Sequence, residues 1–166
     1  MSNTTTRAEI EVGTPWLDDV AHRFADSPDL PWMLAAASVI QTYKVLAGNT
    51  EALLSKFDLT MSRYEILGFL DRAREGTMSA KDLKRATFLH PPTMTYTLDW
   101  LEGRKLVKRK PSLTDRRSVA VELTALGRKR FAQASAALSE IHYGMAGVDR
   151  DDALAVARVL ARSQPT

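Results

Sequence analysis

The chain has 166 residues, no cysteine, and 23 Lys or Arg against 20 Asp or Glu, for a formal net charge of +3. That length suits one domain able to bury a core, and the missing cysteines exclude disulfides, thiolate metal sites and thiol redox sensing. The longest apolar run, WMLAAASVI at 32–40, is too short to cross a bilayer, and the polar start MSNTTTRAEIEVG lacks a signal-like apolar stretch, so the expectation is a cytoplasmic chain without a membrane partner.

Residues 1–13 read as a disordered tail. Thr14 then stands as N-cap with Pro15 at the first helical position, and Leu17, Val20, Ala21 and Phe24 form an apolar stripe. Two prolines in DSPDLP (26–31) break that helix. A long helix follows from Trp32 to about Phe57, with Gly48-Asn49 as a candidate bend. The next helix lies within 58–76, N-capped by Thr60 and stopped near Gly76. Ser79 and Asp82 form a capping-box pattern that opens AKDLKRATF. A tight connection at 88–90, including Phe88, leads to a proline-started helix over 91–103.

Beyond that helix the pattern changes period. Val119, Val121 and Leu123 alternate with Ser118, Ala120 and Glu122, as a half-buried strand requires, and KPSL (110–113) supplies a hairpin turn. After Thr124 a helix runs to about Ala146, with Leu126, Phe131, Ala134, Leu138 and Ile141 on one face. Asp149 and Asp152 cap a final helix. No internal repeat is visible. The fold class expected is mainly α with a small β-hairpin wing.

Charge is unevenly spread. Residues 79–117 hold ten basic and four acidic side chains, leaving the remainder of the chain net acidic. Such a concentration is the footprint of a polyanion-binding face, most often for nucleic acid. On the 91–103 helix, Met94, Leu98 and Leu101 share one narrow face, while Pro92, Thr93, Tyr96, Asp99 and Trp100 point elsewhere. Hydroxyls and a phenol suit a helix entering a major groove. Trp100 suits either groove contact or packing on a neighbouring element. In the hairpin, Lys108, Arg109 and Lys110 are placed for phosphates, and Arg116 and Arg117 for a narrow minor groove, with Asp115 able to hold one arginine extended.

Two short helices, a basic hairpin and a helix resemble the winged helix-turn-helix of MarR-type transcriptional regulators. LVKRKPSLTDRRSVAVELTALG (106–127) resembles that family's wing with its D-R-R and its L-T-x-x-G entry to the next helix. LTMSRYEIL (59–67) and TMTYTLDWLE (93–102) resemble its second and recognition helices. The resemblance spans about residues 32–163. It implies a homodimer built by N-terminal helices (14–57) and C-terminal helices (124–166), with a DNA-binding lobe over 58–123 that reads a palindromic operator in double-stranded DNA, usually as a repressor. It also implies that Thr95 is a recognition-helix contact and that Asp115 and Arg117 are the wing pair, with Arg117 in the minor groove. The chain departs from the family pattern at Tyr96 and Trp100, where arginine is frequent, at Phe88, and at Lys105, where a glycine often stands; Gly103 is the alternative left-handed residue.

Members of the family often respond to small phenolic or aromatic acids, and some to acyl-CoA thioesters. Trp16, Trp32, Tyr43, Arg63, Tyr64 and His142 fall on the elements that line that family's ligand cavity, and an arginine beside aromatic walls suits a carboxylate-bearing ring. Ordinary dimer-core packing is the better account of each of these residues taken singly. Two other functions compete: a winged-helix module for protein contact or general DNA coating, and an enzyme. His22, His90 and His142 are widely separated, and no HExxH, GxSxG, Walker loop or cysteine nucleophile is present, so neither enzyme chemistry nor a metal or cofactor is expected.

Overall fold

Pro15 opens the first helix, α1 (Pro15–Arg23), in a computed structural model that describes residues 13–87, 89–111, 119–145 and 147–162. Residues 1–12 of the expected 1–13 tail, the Phe88 connection, the hairpin tip and the expected helix end at Ala146 lie outside the described residues. The chain divides into two units between Gly48 and Asn49.

In the first unit, Leu17 and Ala21 of α1 pack on Leu30 and Leu34 of α2 (Leu30–Ser55), with Val20 and Ala37 alongside. Thr14 has the extended backbone of an N-cap but makes no capping hydrogen bond through its side chain; Asp18 Oδ1 instead accepts the Gly13 N–H at 3.3 Å. Phe24 lies past the helix end and is largely exposed, leaving the expected stripe. Gly48-Asn49 does not interrupt α2. One glycine costs about 1 kcal/mol in a helix interior, a small penalty within a 26-residue element.

In the second unit, α2 ends with Asp58 at φ 58°, where Leu59 N–H reaches back to the Leu54 carbonyl at 3.1 Å. Helix α3 (Met61–Arg72) is capped as expected by Thr60, which accepts the Arg63 N–H at 3.4 Å. Glu51 adds a second cap, accepting the Met61 N–H at 3.0 Å. The helix stops at Arg72, and Gly76, expected as its end, sits in the following turn at φ +66°. A strand the sequence did not announce follows, β1 (Thr77–Ser79). Ser79 then caps α4 (Ala80–Thr87): its Oγ accepts the Asp82 N–H at 3.0 Å and lies 2.7 Å from the Asp82 carboxylate.

Helix α5 (Pro91–Gly103) matches its sequence reading, and Met94, Leu98 and Leu101 are all buried. His90 holds the N-cap position without a side-chain bond. Strands β2 (Val107–Pro111) and β3 (Val119–Leu123) pair antiparallel, Val107 opposite Leu123 and Pro111 opposite Val119. β1 pairs on the other side of β3, giving a three-stranded sheet in the order β1-β3-β2. Ile66, Leu67, Leu83, Leu101, Val121 and Leu138 meet in one core with less than 2% exposure each.

Helix α6 (Ala125–Glu140) starts on Thr124, whose Oγ1 accepts the Gly127 N–H at 2.9 Å. It ends before Ala146 because His142, Tyr143 and Gly144 turn left-handed at φ 47°, 55° and 86°. Leu126 is exposed, off the expected apolar face. Asp149 alone caps α7 (Arg150–Ala161), accepting N–H groups from Asp151 and Asp152, each at 2.9 Å. Among the described residues no helix is long and apolar enough to cross a membrane.

Candidate nucleic-acid interface

The 3.6-residue period of α5 sorts its side chains cleanly. One face is spent on the core, and Pro92, Thr93, Thr95, Tyr96 and Asp99 are left exposed, Tyr96 by 66%. Thr95 satisfies its hydroxyl on the Pro91 carbonyl at 3.2 Å, so its oxygen still offers lone pairs outward. Thr97, not singled out from sequence, is buried and donates to the Thr93 carbonyl at 2.7 Å.

Trp100 takes the packing alternative. The guanidinium carbon of Arg63 lies 3.7 Å from its ring centroid and that of Arg104 lies 4.8 Å away, while Arg104 also pairs with Asp58. Trp100 is thus packed between Arg63 of α3 and Arg104 at the end of α5 and stays partly exposed.

Alternation splits the basic arm of the wing. Lys108 and Lys110 face outward with Glu122 and Ala120, and Arg109 faces the opposite way with Val107 and Val121. Lys110 binds Glu122, holding that carboxyl below the ordinary range chiefly through the hydrogen bond. Lys108 has no ion-pair partner among the described residues. Arg109 is turned toward α5. It lies 2.6 Å from Asp99 Oδ1 and 3.5 Å from Glu102 Oε2, and its backbone N–H donates to Glu102 Oε1 at 2.9 Å. Asp99 and Glu102 as holders of the wing were not legible in sequence, since nothing local links them to residue 109. Asp115, Arg116 and Arg117 lie outside the described residues. Lys81, Lys84 and Arg85 are exposed on α4 and add to the basic surface.

Lys105, rather than Gly103, supplies the left-handed residue after α5, at φ 60°. Lys105 N–H reaches the Glu102 carbonyl at 2.8 Å and Leu106 N–H the Leu101 carbonyl at 2.9 Å, the paired bonds of a Schellman ending.

A hydroxyl-bearing helix with a basic two-stranded wing fastened beside it is the geometry of a winged helix, and residues 57–118 match the profile of the MarR family. The chain carries a MarR-family domain. Members of that family are DNA-binding transcription regulators. No curated protein matches the chain in sequence. Among solved structures, Sco5413, a MarR family transcriptional regulator from Streptomyces coelicolor, is 24% identical with a TM-score of 0.70, over 82% of this chain and 99% of its own. A mutant MarR from E. coli complexed with operator DNA is 19% identical with a TM-score of 0.71, over 84% and 99%. NadR in complex with 4-hydroxyphenylacetate is 26% identical with a TM-score of 0.64, over 76% and 89%.

The ligand candidates fall into both units. In the first, Trp16, Trp32 and Tyr43 are each more than half exposed, and Trp16 lines a cavity of about 370 Å³ with Leu17, Ser38, Gln41 and Thr42. In the second, Arg63 and Tyr64 point to different neighbours. Arg63 stacks on Trp100, whereas the Tyr64 hydroxyl lies 3.1 Å from Ser135 Oγ and its ring 5.1 Å from that of Phe131. Burial pushes the Tyr64 phenol up, with Tyr143 adding to the effect and Ser135 opposing it. His142 stands exposed in the left-handed turn after α6, not on a helix face. A second cavity of about 380 Å³, lined by Asn49, Ala52, Leu53, Lys56, Ile141 and Gly144, includes none of the six.

Proposed function

We propose that the chain is a homodimeric repressor that reads a palindromic operator with α5 and the wing and releases it when a small aromatic or phenolic acid, or its acyl-CoA thioester, binds. The observation carrying this reading is the exposed hydroxyl face of α5, with Thr93, Thr95 and Tyr96 beside Pro92, on a helix to which the basic strand β2 is tied through Arg109. Arg116 and Arg117 are assigned to the minor groove, with Asp115 paired to Arg117, by their match to the D-R-R of the family's wing. The E. coli relative complexed with operator DNA supports the duplex as target.

The dimer is assigned to the helices of 14–57 and 124–166. Val39, Ile40, Tyr43 and Val45 on α2, and Leu154, Val156, Val159 and Leu160 on α7, leave more apolar side chain in water than a lone subunit ordinarily tolerates. Twofold symmetry sets the two recognition helices about one DNA turn apart, roughly 34–36 Å. NadR in complex with 4-hydroxyphenylacetate supports an aromatic acid as effector. The effector acts through different affinities for two lobe spacings, only one of which matches the grooves.

Selection of duplexes from random DNA by the full-length chain, followed by footprinting, tests the reading. A twofold-symmetric site, lost in Arg117→Ala, is expected, with a dimer by light scattering. Equal affinity for all duplexes, or capture of protein alone, would replace it with a coating or protein-contact module. A thermal-shift screen against hydroxybenzoates, hydroxycinnamates and their CoA thioesters identifies the effector, since a ligand selective for the fold raises its melting point.

A further inference from the structure

Arg109 ties β2 to α5 at three points. Its guanidinium meets Asp99 and Glu102, and its main-chain N–H is held by the other oxygen of Glu102. The Arg109 side chain is 28% exposed while that of Asp99 is 56% exposed, so the arginine is the more buried partner of the pair. Asp99 stands on the exposed face of α5 with Thr95 and Tyr96, where an unpaired carboxylate would repel a phosphate backbone.

An exposed pair of this kind contributes little to stability by itself. Its effect lies in geometry. A wing that swung freely against α5 would have to be ordered each time both elements engaged a duplex, and a wing already fastened avoids that cost. Lys108 and Lys110, one residue to either side, face the opposite way and make no tie to α5.

We propose that Arg109 is a positioning residue for DNA recognition: it sets the wing against the recognition helix and masks Asp99 and Glu102, without touching phosphate itself. The inference rests on the reading of α5 and the wing as the DNA-binding face. Both elements engage together only on the correct site, so the loss of Arg109 falls on discrimination between sequences.

The test titrates the full-length chain, Arg109→Gln, Asp99→Asn, the double variant and Lys108→Gln with two duplexes over a salt series. One duplex carries the palindrome that the unaltered chain selects from random DNA, and the other is its scrambled counterpart. Arg109→Gln is expected to weaken the palindrome complex about tenfold, with little change on the scrambled duplex and an unaltered salt slope. Lys108→Gln is expected to lower the slope on both duplexes by about 0.9, the signature of one lost phosphate contact. Asp99→Asn should also lower the palindrome-to-scrambled ratio, the double variant should discriminate no worse than Arg109→Gln alone, and Arg109→Lys should restore part of the ratio. A slope loss in Arg109→Gln equal to that of Lys108→Gln, or a ratio that rises in Asp99→Asn, overturns the proposal. Should Arg109→Gln fail to fold by circular dichroism, the ratio measured for Asp99→Asn decides it. An unaltered chain that selects no palindrome overturns the DNA-binding reading itself, an outcome separate from the loss of the role of Arg109 alone.

Discussion

Gly127 sits so close to the backbone of Leu106 that a Cβ built on it would stand 2.0 Å from the Leu106 carbonyl oxygen and 2.8 Å from Leu123 Cδ1. The neighbouring Thr124 explains the approach: its hydroxyl is shared between the carbonyls of Lys105 at 2.7 Å and Leu106 at 3.0 Å, drawing the start of α6 onto the chain that follows α5. Backbone cannot step aside as a flexible side chain can. Gly127→Ala is expected to cost about 3 kcal/mol or more in urea unfolding, while Gly103→Ala, with open space around it, stays within about 1 kcal/mol of the unaltered chain.

Lys105 holds a left-handed backbone that costs an L residue about 1–2 kcal/mol. Glycine removes that cost and gives back part of it through a more flexible unfolded chain. Lys105→Gly is therefore expected to raise stability by about 0.5–1 kcal/mol, which thermal unfolding reads as about 1–4 °C.

Glu65 is half-buried on α3, and burial pushes its carboxyl above the ordinary value of 4.5. Among the described residues no hydrogen bond or ion pair reaches it. The folded state thus holds the proton more tightly than the unfolded state. Stability from this group is full below pH 4.5 and falls as pH rises through the raised value. Glu65→Gln is expected to gain stability at pH 7 and to gain none at acid pH, measured by urea unfolding of both proteins at each pH.

Asp149 satisfies two N–H groups at the start of α7, a helix with no buried residue to hold it otherwise. Asp149→Ala is expected to cost about 1 kcal/mol locally, read as faster amide exchange at Asp151 and Asp152 while core amides such as that of Leu67 keep their protection.

Helix α5 was legible because three signals agreed: proline at the start, the Met94-Leu98-Leu101 spacing, and a polar remainder. The start of α6 was legible for the same reason, with Thr124 as cap. Strand β1 was not, since three residues carry no period; only pairing with β3 makes Thr77–Ser79 a strand. The end of α5 misled because composition favoured Gly103, whereas the paired carbonyls choose Lys105. Among the candidate site residues, exposure of Thr93 and Tyr96 followed from periodicity and Thr95 came from the family resemblance, but the neighbours of Trp100 and Arg109 followed from neither. Arg63 and Asp99 reach them only through folding, and a charge count treats a fastened arginine like a free one.

The short strand β1 also governs how the lobe comes apart. Thr77 stands opposite Glu122 and Ser79 opposite Ala120, so the stretch carrying α4, α5 and the wing leaves and returns at the same rungs. Opening this clasp unpairs Met78 from Val121, a residue the core buries completely. During synthesis the clasp closes only once β3 has emerged, with α4 and α5 lying between its two halves in sequence.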